Sequence, residues 1–307
     1  MACVRLVWDG DFMQILNDED VRAAPASAVV AAAREALLQA GRRELVAPPR
    51  GRIELGSVDY VFTAGALADG TSGFRAYRAG QPAGDQLVAV WDALGCLTGV
   101  VVGDELGARR TGALGAVAVD ALARTDAHTL GLVGTGRQAW TQLWAVAAVR
   151  DLKQVRVYSR SKQHREDFAA RARAELGLVA STSSDAATAV RDADIVVLAT
   201  RSTEPVIEAA DVAIGAHVTT VGPKFRDSHE APLQLLTAAA VLTCDSPEQA
   251  AAYPEPFIID STSLVSLADV LLGVAPGRRS RDDITVHCSV GLAGSEVLLA
   301  QHLLTSA

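Results

Sequence analysis

Several function classes are excluded by what this chain is short of. Its four cysteines, Cys3, Cys96, Cys244 and Cys288, are scattered, with no C-x-x-C pair and no histidine at ligand spacing. Neither a zinc site nor a disulfide framework is expected, no metal is called for, and a reducing cytoplasm suits the chain. A basic excess is missing too: 28 Lys and Arg stand against 36 Asp and Glu, for a formal net charge of -8. Nothing is left over to neutralise phosphates, so nucleic acid is not the expected partner. No uncharged run reaches membrane-spanning length, and the early residues Asp9, Asp11 and Asp18-Glu19-Asp20 do not resemble a secretory leader, so a cytoplasmic protein without a membrane partner is expected. Repeats and low-complexity linkers are absent as well. What remains is 307 residues, half of them hydrophobic, enough for two ordinary domains with real cores.

The organising stretch is Thr129-Leu130-Gly131-Leu132-Val133-Gly134-Thr135-Gly136-Arg137-Gln138-Ala139, an apolar run that breaks into glycines and then into a helical pattern. It reads as the G-x-G-x-x-A turn of a dinucleotide fold. Gly134 makes the tight turn, Gly136 lets backbone amides approach a pyrophosphate, and Ala139 allows close helix–strand packing. The phosphates would rest on a helix N-terminus, where unpaired amides and the dipole favour anions. Trp140, Leu143, Trp144, Ala147 and Ala148 continue at helical spacing, and Gln154 to Tyr158 reads as the next strand. The bland alternative, a βα turn without a ligand, is disfavoured by that order of elements.

Ahead of this turn, a short strand is expected at residues 3 to 8 and a helix from about Pro25 to Gly41, with Val29, Val30, Ala33, Ala36 and Leu37 on one stripe. From Arg52 to Val102 the pattern changes to glycine-punctuated runs that predict a mostly antiparallel sheet, with a hairpin turn at Asp92 to Gly95. A small-residue helix follows, from Asp104 to about Arg124. Beyond the turn, helices alternate with strands at 194–199, 217–221 and 240–244, which implies a doubly wound parallel sheet. The fold class is therefore α/β, a Rossmann-type domain plus an α+β domain. The strand at Asp283 to His287 and the final helix of Val297, Leu298, Ala300 and Leu303 are assigned to the first domain. The expected boundaries are 1–124 plus 283–307 for substrate binding and dimerisation, and 125–282 for NADP binding. Pro276 to Arg281 reads as an exposed loop.

At the end of the second strand, where an NAD enzyme places an acid on the ribose 2′-hydroxyl, stand Ser159-Arg160-Ser161-Lys162. A guanidinium and two hydroxyls suit a 2′-phosphate, so NADP(H) is preferred over NAD(H), unless Arg160 is only a solvated loop arginine. In the first domain Arg50, Arg75 and Arg110 are candidate carboxylate clamps, since a planar fork of donors matches a carboxylate bidentately. Surface arginines that only solvate are common, however. His217, His229 and His287 read more readily as packed or solvated side chains than as catalysts, with His287, ahead of Gly291, the best catalytic candidate of the three. Asp227 and Glu230 can anchor the loop that carries Lys224, or belong to a solvated loop.

Taken together, Pro48-Pro49-Arg50, Leu106 to Ala113, Leu130 to Ala139, Val221-Gly222-Pro223-Lys224 and Ile284 to Ala293 give the chain its kinship. It resembles the ornithine cyclodeaminase/μ-crystallin family over nearly its whole length. The resemblance implies a homodimer, a Rossmann-type cofactor domain, and hydride transfer at the α-carbon of amino or imino acids. It puts Arg50 and Arg110 on the substrate carboxylate. The residues expected around the cofactor are Thr111, Gly134, Thr135, Gly136, Arg137, Gln138, Ser159, Arg160, Ser161, Thr200, Val221, Gly222 and Gly291. Two positions depart from the family pattern. Arg75 stands where a catalytic lysine is usual, and Pro223-Lys224 replaces the aspartate that follows Val-Gly in cyclodeaminases. An arginine does not deprotonate at neutral pH, so Lys224 becomes the candidate acid–base group, with Arg75 a fixed charge in the catalytic site. The expected activity is that of an NADP(H)-dependent imine or ketimine reductase, or amino-acid dehydrogenase, on a small carboxylate. The alternatives are a ligand-binding protein with little turnover and an amino-acid cyclodeaminase. The gained cation argues against ornithine, which carries a second ammonium.

Overall fold

The computed structural model describes residues 4–8, 11–80 and 85–306; Cys3 and Asp9 lie outside the described residues. The chain divides into two compact units, Met1–Arg110 with Leu292–Ala307, and Thr111–Gly291.

In the first unit β1 (Val4–Trp8) and β2 (Asp11–Leu16) precede α1 (Asp18–Ala23) and α2 (Ala26–Gly41). They are followed by β3 (Gly51–Leu55), β4 (Val58–Ala66), β5 (Ser72–Ala79), β6 (Gln86–Trp91), β7 (Leu97–Gly103) and α3 (Glu105–Leu122). The boundary between units falls inside α3. The described strands form a seven-stranded sheet in the order β1-β2-β7-β6-β5-β4-β3. From β3 to β7 the pairing is antiparallel, as the glycine-punctuated runs imply, whereas β2 joins β7 in parallel. Helix begins before Pro25 because Asn17 caps α1: its side chain accepts the Glu19 and Asp20 amides, and the Asp20 carboxylate accepts the Asn17 N–H. Val29, Val30, Ala33, Ala36 and Leu37 of α2 are buried, so the apolar stripe is a core face.

The second unit continues with β8 (Thr129–Val133), α4 (Arg137–Val146), β9 (Gln154–Tyr158), α5 (Lys162–Leu176), β10 (Ala180–Thr182), α6 (Ala186–Val190), β11 (Ile195–Leu198) and β12 (His217–Thr220). After a two-residue-strand hairpin, β13 (Lys224–Phe225) and β14 (Ser228–His229), come α7 (Leu233–Ala238), β15 (Val241–Cys244), α8 (Pro247–Ala251), β16 (Val265–Ser266), α9 (Leu267–Leu271) and β17 (Thr285–Cys288). Eight strands form a wholly parallel sheet in the order β10-β9-β8-β11-β12-β17-β15-β16. Ile195-Val196-Val197-Leu198 is buried at every position, as a strand covered on both faces requires. The strand order reverses between β8 and β11, and in open parallel sheets ligands bind beyond the carboxyl ends of the strands at such a point.

One placement differs from the sequence reading. The strand Thr285–Cys288 does not join the first unit but sits between β12 and β15, fully buried and paired on both sides. Its four buried side chains fit a sheet interior, and periodicity cannot tell which of two sheets a buried strand enters. Only the last helix, α10 (Ser295–Ser306), returns to the first unit, where it packs on α2 and on β4 to β7. Pro276 to Arg281 is partly pinned: Arg278 donates to the carbonyls of Leu122, Ala216 and Asp283.

Candidate functional site

At the carboxyl end of β8 the chain turns through Gly134, which has φ +116° and donates its N–H to Tyr158 O at 2.8 Å. An added Cβ would lie 2.2 Å from Ala199 O, so only glycine makes this turn. Gly136 stands at the N-cap of α4 and, being glycine, brings no side chain over the helix's first turn. The space before it is open: a Cβ there meets no atom within 4 Å. Ala139 is fully buried against the sheet. The N-terminus of a ten-residue helix opening behind a glycine, with Thr135, Arg137 and Gln138 at its rim, fits a dinucleotide pyrophosphate.

The end of β9 carries no acid. Ser159 Oγ donates to Ser161 O at 3.0 Å, and Ser161 Oγ caps α5 by accepting the His164 N–H. Arg160 is exposed between them. A second guanidinium, unforeseen from the sequence, joins this turn: Arg165 Nη1 donates to Ser159 O at 2.9 Å and lies 5.7 Å from the Tyr158 ring centre.

Beyond β11 and β12 lies Glu230, which is fully buried. One of its oxygens accepts from the Thr200 N–H and hydroxyl, both at 2.7 Å. The other accepts from Thr220 Oγ1 at 2.8 Å and from the amides of Val221 at 3.0 Å and Gly222 at 2.5 Å. The anchoring reading of Glu230 therefore describes it, and a solvated loop does not. Lys224 is buried as well. Its Nζ donates to Val221 O at 2.9 Å and Gly222 O at 2.5 Å, so the ammonium holds the carbonyl side of the loop whose amide side is held by Glu230.

The loop after β17 has its own carboxylate, which the sequence did not announce. Asp245 Oδ2 accepts from the amides of Val290 and Gly291, each at 2.7 Å, and Oδ1 lies 3.3 Å from His287 Nε2. Gly291 is at φ +86°. His287 Nδ1 meets Thr243 Oγ1 at 3.0 Å inside the sheet. His217 lies between Thr285 and Thr219 hydroxyls, and burial, with the nearby His287, Arg278 and Arg150, depresses its pKa well below the usual histidine value. His229 is half-buried with Nδ1 on Phe225 O. Cys244 and Cys288 are buried side by side in the β15–β17 register, and burial pushes both thiols up, Cys288 to about 12. Neither is a thiolate at neutral pH.

In the first unit Arg75 on β5 and Arg110 on α3 are both buried and both reach Glu296 of α10. Arg75 also gives Nε and Nη2 to Gln86 Oε1 on β6, at 2.8 and 2.5 Å. Three of its five N–H donors are thus used within the unit, and its guanidinium lies 4.5 Å from the Tyr77 ring centre. Burial pulls the Arg75 pKa down, and Glu296 opposes that shift. Among the described residues Arg110 Nε has no hydrogen-bond partner although it is buried, and the same holds for the Thr63 hydroxyl, which faces Arg75 across the β4–β5 ladder. Buried donors without acceptors mark a place where a ligand oxygen would be satisfied. Arg50 is half-buried in the loop before β3. Among the described residues no group of His, Cys, Asp and Glu is arranged to hold a metal ion, and no helix is long and apolar enough to cross a membrane.

A wholly parallel sheet with a glycine turn onto a helix, joined to a mixed-sheet unit that carries buried arginines, defines a Rossmann-type two-unit α/β protein. Residues 83–306 match the ornithine cyclodeaminase/mu-crystallin family, and the chain belongs to it. A Delta(1)-pyrroline-2-carboxylate reductase of Bacillus cereus is 34% identical over 203 residues, 63% of this chain and 62% of its own length. The match thus spans less than two thirds of that relative. Among solved structures, the Thermococcus litoralis Delta(1)-pyrroline-2-carboxylate reductase in complex with NADH and L-proline superposes with TM-score 0.88 at 26% identity, covering 96% of this chain and 97% of that one. An archaeal alanine dehydrogenase dimer with bound NAD superposes with TM-score 0.86 at 25% identity, covering 96% of each chain.

Proposed function

We propose that the chain is an NADP(H)-dependent oxidoreductase acting on C–N bonds, an imine or ketimine reductase or amino-acid dehydrogenase with a small carboxylate substrate. The observation that carries this reading is the pairing of the Gly134 turn and glycine-started α4 with Ser159-Arg160-Ser161 in place of an acid at the end of β9. The first feature suits a pyrophosphate and the second a 2′-phosphate. When bound, the reduced nicotinamide supplies a hydride. The chain's own residues supply the rest of the reading. Arg110 offers its unpartnered Nε to a carboxylate oxygen, Arg75 has a donor left on each terminal nitrogen, and Arg50 is the third candidate. Lys224 Nζ is the group that can hold and deliver a proton. Thr135, Arg137, Gln138, Thr200, Val221, Gly222 and Gly291 complete the proposed cofactor site, with Thr111, whose carbonyl accepts from Gln142 Nε2.

Oxidation of NADPH is followed with Delta(1)-pyrroline-2-carboxylate, its six-membered homologue, and α-keto acids with ammonia or methylamine. Turnover of at least one, faster with NADPH than NADH, is expected. Tight NADPH binding with no turnover of any of them would favour a second reading, a ligand-binding protein. That reading draws on Arg75 standing at the usual lysine position with three donors already engaged.

A homodimer is part of the proposal. The edge strand β3 is exposed along its whole length, with Ile53 50% and Leu55 60% accessible, and such an edge is normally covered. Light scattering at micromolar concentration should give twice the 32.0 kDa chain mass; a monomer alone would refute it.

A further inference from the structure

A parallel dinucleotide fold is built from two mononucleotide halves on either side of the reversal in strand order. Here β8, β9 and β10 form one half and β11, β12 and β17 the other. The glycine turn and Arg160 belong to the first, so the nicotinamide half falls to the carboxyl ends of β11 and β12, at Thr200 and at Val221-Gly222.

Both of those strand ends are tied to one side chain. Glu230 accepts five hydrogen bonds, two from Thr200 and three from Thr220, Val221 and Gly222. The two ends also touch: a Cβ on Gly222 would lie 2.4 Å from Thr200 O and 2.6 Å from the Glu230 carboxyl. Lys224 fixes the carbonyls of Val221 and Gly222 from the other side, so those two peptide planes cannot rotate without breaking charge-assisted bonds. The Thr200 hydroxyl donates to Glu230 and accepts from the Ser202 N–H, which fixes its orientation as well. We infer that Glu230 is a positioning residue for the nicotinamide half of the dinucleotide, setting the β11 and β12 strand ends in the geometry that half requires without touching it. The inference rests on the dinucleotide reading above.

The test measures the whole cofactor against its adenine half, on the full chain. Glu230→Gln keeps the volume but turns an acceptor oxygen into an NH2 that faces N–H or O–H donors. NADPH should then bind about tenfold more weakly, as expected for one or two lost charge-assisted bonds. Adenosine 2′,5′-bisphosphate, which carries only the adenine half and the 2′-phosphate, should change by less than about twofold. Thr220→Val removes one donor to Glu230 from a residue outside the cofactor set and leaves the carboxylate in place; a loss of about threefold for NADPH alone is expected, and this variant decides the matter if Glu230→Gln does not fold. A purely structural role would weaken both ligands alike, or neither, and either result overturns the inference. A wild-type chain that binds neither NADPH nor NADH overturns the dinucleotide reading itself, and is told apart because it appears before any substitution is made.

Discussion

Arg110 Nη2 lies 2.5 Å from Glu296 Oε1, and Arg75 Nη1 reaches the same oxygen at 3.1 Å. Glu296 is 1% exposed, so one buried carboxylate balances two buried guanidiniums. Burial by itself would raise its pKa, but Arg110 and then Arg75 outweigh it and hold the carboxyl below the usual glutamate value.

Removing Glu296 should therefore cost more than its packing. Glu296→Ala leaves two buried cations without their acceptor, and breaking such a network costs about 3–5 kcal/mol. Urea unfolding at pH 7 measures it, with Glu296→Gln expected to lose less; a loss under about 1 kcal/mol would mean the arginines find other acceptors. The folded pKa is depressed, so this contribution is complete above the unfolded carboxyl pKa of about 4.3 and is lost as pH falls through the folded value.

His217 gives a second, separate pH dependence. Its folded pKa is well below that of an exposed histidine, so above about pH 6.5 it is neutral in both states and costs nothing. Below that pH the unfolded chain takes up a proton that the folded chain refuses, and stability should fall with a slope of up to about 1.4 kcal/mol per pH unit. Urea midpoints between pH 7.5 and 5 should show the decline in the wild type and a shallower one in His217→Asn. Parallel slopes would place the acid sensitivity elsewhere.

Cofactor choice is tested at the β9 turn. Arg160→Asp puts an anion beside the 2′-phosphate position and should weaken NADPH by about 2–3 kcal/mol while leaving NADH within a factor of about three. An equal loss for both cofactors would remove Arg160 from 2′-phosphate recognition. Should NADPH weaken only slightly, Arg165, which sits at the same turn, becomes the residue to change next.

Lys224 has two possible jobs that kinetics can separate. If its ammonium delivers a proton, Lys224→Met should lower kcat by about 100-fold or more with KM little changed. If it serves only the Val221 and Gly222 carbonyls, the larger change should fall on NADPH affinity instead. Unchanged values for both would leave it a packing residue.

How much of this could be read beforehand depended on whether a signal was local. The Gly134 turn, α4 and the buried strand Ile195–Leu198 write themselves in consecutive residues, through glycine spacing and apolar runs. The loop carboxylate Glu230 was within reach because its partners Val221 and Gly222 lie 9 and 8 residues away. Glu296 was not, although one acid inside the apolar stretch Ser295-Glu296-Val297-Leu298-Leu299-Ala300 is itself a signal of a buried partner. That partner is 221 residues away in Arg75, and no periodicity reports it. Asp245 is hidden in the same way, since its two amides belong to a loop 45 and 46 residues later. Strand β17 was recognised as a strand, but its neighbours were not, because pairing in a parallel sheet is decided by crossovers and not by the strand's own residues.

The late arrival of α10 bears on how the chain acquires its structure. β4 to β7 are synthesised early, yet the helix that covers them comes last, and β17 completes the parallel sheet only shortly before it. During synthesis at about 5–20 residues per second, the early strands would wait on the order of ten seconds or more with an apolar face uncovered and the Arg75 guanidinium without its counter-ion. Folding dominated by such distant pairings is slow and exposed to aggregation. Shortening the chain before Ser295 should therefore strip the first sheet of its cover and send the product to inclusion bodies or proteolysis, although every strand of both sheets would still be encoded.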